Sequence, residues 1–173
     1  MELSYEKVEA FMKVKVPQEI EDEILATYAA FSLEHDMTLD ELEKYFEQLE
    51  LPRELTKIIP RNELVIEGTN VVDFAKLLTS TYHLLIFMNN EKTISEMWSL
   101  LVEGCGRDRD FPQVQLKNHV LSLKDLQKIR NYIGVEQSSG IVEMISVATD
   151  GRRVYMTYLD FAYVLGKLGY LRF

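Results

Sequence analysis

A six-residue pattern recurs four times along the 173-residue chain. It runs apolar residue, helix-capping residue, two variable residues, an acid (a lysine in one copy), apolar residue. The copies are Met37–Leu42, Val72–Leu77, Leu121–Leu126 and Met156–Phe161, and they start 35, 49 and 35 residues apart. A fixed period of this length is the mark of a repeated supersecondary unit. Two equal short spacings around a longer one predict two lobes of two units each. Thr38, Asp73, Ser122 and Thr157 are good N-cap residues, because their side-chain oxygens can accept from the orphan amides of a helix start. Glu41, Asp125 and Asp160 follow three residues on, as in a capping box. The two aspartates look short for that task. The apolar residue before each cap belongs in a short extended segment, and two such segments can pair within a lobe.

Helical periodicity flanks every copy. Ile20, Ile24, Tyr28 and Phe31 precede the first; Leu42, Phe46 and Leu49 follow it. Pro52 suits the first position of a short helix carrying Leu55, Ile58 and Ile59 and stopping at Pro60. Phe74, Leu77, Leu78 and Leu85 mark the helix after the second copy, and Asn89-Asn90 should break it. Thr93 is placed to cap the next helix, which carries Ile94, Met97, Trp98 and Leu101. After the third copy come Leu126, Ile129 and Ile133, with Gly134 as a stop. Ile141, Met144 and Ile145 define a seventh helix. Phe161, Val164, Leu165 and Leu168 define the eighth, ending at Gly169. The expected fold is all-α: calmodulin/centrin-like, four degenerate EF-hand helix–loop–helix units in two lobes, 17–90 and 91–173.

An EF-hand loop needs oxygen ligands at alternate positions, a glutamate at position 12 and a glycine at position 6. The acid of the repeat marks position 12. In the fourth unit Thr149 is position 1 and Asp160 position 12, but Gly151, Arg153 and Val154 take positions 3, 5 and 6. In the second, Val65 is position 1 and Lys76 replaces the acid. In the third, Val114 and Leu116 occupy ligand positions, and the segment 104–119 is long for a loop. The first, with Ser32, Glu34, Asp36, Thr38 and Glu41, is the richest in oxygen, yet it spans ten residues rather than twelve and carries His35 at the turn. Calcium binding is therefore not expected, and no metal or other cofactor is assigned.

No catalytic chemistry stands out. Cys105 is the only cysteine, so an internal disulfide is impossible and the reducing cytosol or nucleus is the natural compartment. With no histidine near it in sequence, it reads as a buried structural thiol. His35, His83 and His119 show no metal-ligand spacing and read as surface or loop residues. There is no Walker or dinucleotide motif. The formal net charge of −9 disfavours direct nucleic-acid binding and favours a basic protein partner. The densest apolar run, Leu84–Met88, is too short to span a bilayer.

The binding mode that suits such a chain is a hydrophobic groove for a partner helix, available without a metal switch. Met97, Trp98, Leu101, Leu126, Ile129, Ile133, Met144, Ile145, Phe161 and Leu165 are the candidate lining. The second lobe is favoured because it holds the only tryptophan and the adaptable side chains of Met97, Met144 and Met156. Two other classes compete: a calcium-independent light-chain-like module on a cytoskeletal or motor helix, and a calcium sensor working through Ser32–Glu41.

Several stretches carry a closer resemblance. They include Val16-Pro17 with Glu21–Leu25, His35–Thr38, Ile66–Thr69, Cys105–Asp108 with Asp110–Val114, His119–Ile129, Glu143–Ile145, Ala148–Gly151, and Met156–Phe161 with Val164–Leu171. Through them the chain resembles the yeast-type nucleotide-excision-repair accessory proteins of the centrin-like superfamily. The resemblance implies a nuclear, non-enzymatic role in global and transcription-coupled repair. It also implies two partners: the xeroderma-pigmentosum-C-type damage sensor and that sensor's ubiquitin-like-domain companion. It brings no catalytic residues, and the lost calcium ligands set the chain apart from centrin.

Overall fold

The structure, a computed structural model, describes residues 4–133, 149, 151 and 153–173. The expected seventh helix and the Gly134 stop lie outside the described residues. The chain is mostly helical and falls into two compact units, one of residues 12–88 and one of residues 1–11 with 89–173.

In the first of these, α2 (Gln18–Ser32) leads into the first copy of the repeat, and α3 (Leu42–Gln48) leaves it through a 3-10 turn over Leu39–Glu41. The short α4 (Arg53–Thr56) follows. Pro52 is its N-cap rather than its first residue, and helical structure ends at Thr56, well before Pro60. The second copy leads into α5 (Phe74–Asn89). The two copies meet where Thr38 pairs antiparallel with Val71. The Val72 N–H donates to the Met37 carbonyl at 2.8 Å, and the Leu39 N–H to the Asn70 carbonyl at 3.0 Å. Val72 also pairs with Val65 on its other side.

The other unit repeats this plan. α6 (Glu91–Gly104) and α7 (Arg107–Asp110) precede the third copy; α8 (Leu123–Ile133) leaves it. The fourth copy opens α9 (Tyr158–Lys167). Here the segments form a two-stranded antiparallel sheet, β1 (Leu121–Ser122) on β2 (Tyr155–Met156), with Leu121 opposite Met156. All four repeats thus lie at helix starts and pair two by two. Their leading residues Met37, Val72, Leu121 and Met156 are buried, as are their closing residues Leu42, Leu77, Leu126 and Phe161. The apolar ends of the pattern are the core, and the polar middle is the helix cap.

The caps work as the spacing predicts, and the aspartates do reach. The Ser122 N–H donates to Asp125 Oδ2 at 2.8 Å and the Thr157 N–H to Asp160 Oδ2 at 2.9 Å. The Thr38 N–H reaches Glu41 Oε2 at 2.9 Å. A helix that begins immediately after its cap brings the third residue close enough for the shorter side chain. Asn90, by contrast, rather than Thr93, is the residue before α6. Its amide is held elsewhere, accepting from the Arg172 N–H at 2.9 Å and donating to the Arg172 carbonyl at 2.8 Å. The interruption between α5 and α6 is this single residue.

Two helices have no counterpart in the sequence reading: the short α7, and α1 (Tyr5–Met12), which packs on α9. Phe11 is fully buried and stands edge-on to Tyr163 and Phe173, at centroid distances of 6.0 and 5.8 Å. Gly166 makes room for it, since a Cβ there would run into the Phe11 ring. α9 then stops at Gly169, whose φ of +79° suits glycine, with the Tyr170 N–H bonded to the Leu165 carbonyl at 2.9 Å.

In an exposed helix, glycine to alanine would gain about 1 kcal/mol. At Gly166 the ring contact dominates. Gly166→Ala should destabilise the protein by about 1–3 kcal/mol in urea unfolding. Much of that loss should disappear when Phe11 is also shortened to leucine. A stabilised single variant would contradict the packing.

Candidate partner groove and the loop ends

The candidate groove residues converge on α6, α8 and α9, but as core rather than as an open surface. Trp98 is fully buried, with its indole N–H donating to the Leu116 carbonyl at 2.9 Å. Tyr158 stands edge-on to it at 6.1 Å, and Phe161 tilts against it at 5.5 Å. The Tyr158 hydroxyl is bonded to Ser95 Oγ at 3.0 Å. Leu126, Ile129, Phe161 and Leu165 are buried as well. Met97 and Leu101 are half-buried. Nothing is described of the Ile133 side chain, and Met144 and Ile145 lie outside the described residues.

The largest exposed apolar side chain of α6 is Leu100, 69% exposed. It lies between Met97 and Leu101, with Gly104 one turn on, so these four residues form one stripe at helical spacing. Sequence reasoning passed over Leu100 because Trp98 drew attention to the opposite face. The segment Met97–Leu101 carries the signal: four of its five residues are apolar, too many for one buried stripe.

The second feature is electrostatic and sits at the end of each loop. Arg107, projecting from α7, places Nη1 3.0 Å from Asp125 Oδ2. The Arg153 guanidinium pairs with Asp160 Oδ1. Both carboxylates are buried, each side chain only 8% exposed. In the second unit Lys76, itself at the acid's place, donates from Nζ to the Val65 carbonyl at 2.9 Å. In the first, Nε2 of the exposed His35 is 3.7 Å from Glu41 Oε1.

Burial and pairing compete at the two aspartates. At Asp160, burial is the largest influence and pushes the carboxyl above its usual range, against the Thr157 hydrogen bonds and Arg153. At Asp125, burial also pushes upward, but the Ser122 N–H and hydroxyl together with Arg107 outweigh it and hold the group below its usual range.

Two histidines are not on the surface, contrary to the sequence reading. His83 is buried on α5 and stacks against Phe87 at 6.3 Å. His119 is buried too; burial first, and then Arg107, lowers its pKa. α5 buries side chains around more than half of its circumference, His83 among them, and His119 directly follows the 3-10 turn Leu116–Asn118, which packs on α6. Cys105 is buried, its thiol donating to the Val102 carbonyl at 3.3 Å, and burial pushes its pKa up. That is the environment of an inert thiol. Among the described residues no group of three metal-ligating side chains comes together, and no helix is long and apolar enough to cross a membrane.

A model of the Rad33 family matches residues 9–67 and 62–138, most of the chain. The chain belongs to the Rad33 family. A relative from Saccharomyces cerevisiae, DNA repair protein RAD33, is 58% identical over 170 residues, spanning 98% of this chain and 96% of the relative. No solved structure matches.

In this Rad33-family chain the Asp125 pair has a pH signature. A carboxyl whose folded-state pKa lies below its unfolded value adds stability above the ordinary carboxylate range, and loses it as pH falls through the folded value. Asp125→Asn should therefore lower the unfolding free energy at neutral pH. The gap to the unmodified protein should close below about pH 4. Urea unfolding at several pH values checks this; a gap independent of pH would contradict it.

Proposed function

We propose that this chain is a non-catalytic accessory subunit in nucleotide excision repair. On this reading it works in the nucleus and supports global and transcription-coupled repair. It holds a helix of the xeroderma-pigmentosum-C-type damage sensor in a hydrophobic groove, beside the sensor's ubiquitin-like-domain partner, and needs no calcium to do so. The observation that carries the repair role is the 58% identity to a protein named for DNA repair, across 98% of the chain.

The architecture required is four EF-hand-type units in two lobes, residues 17–90 and 91–173. What supports it is the pairing of the four repeats two by two at helix starts, since adjacent EF-hand loops meet through a short antiparallel contact. What supports calcium independence is the occupation of the loop ends by the chain's own cations.

The burial of Trp98, Leu126 and Phe161 adds a condition. A helix reaches this apolar floor only if the helices above it part, so its apparent affinity is scaled down by the fraction of molecules that are open. Met97, Leu100 and Leu101 are the surface it would meet first. Micromolar binding needs about 8 kcal/mol net of these costs. That calls for a large apolar anchor on the partner, and the acidic chain favours basic flanks on the same helix.

Titration of the full-length chain with the sensor's helical segment as a peptide tests the reading. Equal affinity in chelator and in calcium is expected. Leu100→Asp, an exposed change that spares the core, should weaken binding by about tenfold, about 1.4 kcal/mol. Binding that disappears in chelator, or that ignores Leu100→Asp, would count against it.

A further inference from the structure

We propose that Arg107, Arg153 and Lys76 stand in for loop metal ions, each delivering a fixed positive charge to the end of its own loop. The inference rests on the EF-hand reading of the four units. Calcium itself does not fit these loops. The second ends in an ammonium, and the third and fourth end in aspartates already engaged by a guanidinium.

The three cations arrive by different routes and do one job. Arg153 comes from within its loop, seven residues before Asp160. Arg107 comes from α7, eighteen residues before Asp125 and outside the twelve-residue loop window. Lys76 occupies the terminal position and reaches back eleven residues to the first loop carbonyl, Val65. In each case the charge ties the end of the loop to an element before it, as a bound ion would.

The two aspartates have the same double engagement. Each accepts from the backbone N–H of its own cap residue, Ser122 or Thr157, and from an arginine. Each cap residue is in β1 or directly follows β2. The arginine thus fixes the carboxylate that fixes the paired segments. Each guanidinium is itself braced by an aromatic ring, Arg107 over Phe111 at 4.7 Å and Arg153 over Tyr155 at 5.7 Å. A carboxylate buried this deeply stays ionised only beside a counter-charge. With the arginine removed, an added cation is the remaining way to supply one.

The first unit differs. Its counter-charge is a histidine, 61% exposed and 3.7 Å from Glu41, which supplies charge only when protonated.

The test uses the full-length protein and thermal unfolding in chelator, in millimolar calcium chloride and in terbium chloride. The unmodified protein should melt at the same temperature in chelator and in calcium. Arg153→Ser and Arg107→Ser should each melt several degrees lower in chelator, and Arg153→Ser should recover part of the loss when either ion is added. In Arg153→Ser, terbium emission excited through Tyr155 should rise and saturate, and adding Asp160→Asn should abolish it. The double variant Arg153→Ser/Asp160→Asn, which has lost both charges, should melt above Arg153→Ser alone in chelator. That comparison decides the matter even if the single variant folds poorly.

Three results would overturn the proposal. One is an arginine variant as stable in chelator as the unmodified protein. Another is an unmodified protein that responds to calcium as the variants are expected to. The third is a destabilised Arg153→Ser variant that neither the ions nor the second substitution restores. None of these measurements involves the damage sensor, so failure here and failure of the peptide titration are separate outcomes.

Discussion

The pairing of the repeated segments is the contact from which the rest of each unit follows. Leu121 opposite Met156, and Thr38 opposite Val71, bring two helix starts side by side. The residue on one side of each cap is apolar and buried, and so is the residue that closes the pattern. Placing two such starts together therefore commits two pairs of helices to one core. Few backbone hydrogen bonds are involved, and their strength is not what matters. Their register decides which helix faces turn inward, and burial of the apolar ends then supplies the stabilisation.

Much of this was legible in the sequence because it is encoded locally. A cap residue, an acid three positions later and apolar residues at both ends form a signal within six residues, and its fourfold recurrence at two equal spacings makes it specific. What stayed hidden depends on contacts distant in sequence. Phe11 lies in a short segment without strong periodicity, and its burial depends on Tyr163, Phe173 and the missing side chain at Gly166, all far along the chain. Arg153 could be recognised as a misplaced cation because it falls inside its loop. Arg107 could not, because its partner is eighteen residues away. Thr93 looked like a cap by local rules, but Asn90, tied to Arg172, precedes the helix.

The candidate groove residues were legible as core. Trp98, Leu126, Ile129, Phe161 and Leu165 were singled out by helical periodicity, and the fold does bring them into one unit. Periodicity reports which residues face inward; it is silent on whether a partner can reach them. The half-buried Met97 and Leu101 and the exposed Leu100 are the part of α6 that a partner could touch without rearrangement. A repair subunit built this way would couple binding to opening. The strength of the arginine pairs and the Trp98–Leu116 hydrogen bond would then set how readily the unit opens.

Amide hydrogen exchange in chelator tests the central claim most directly, that these paired segments close without metal. The amides to follow are Val72, which donates to Met37, and the residues of the Leu121–Ser122 and Tyr155–Met156 pair. Protection close to that of the core helices, unchanged on adding calcium, is the predicted result. Rapid exchange in chelator that slows only when calcium is added would contradict it.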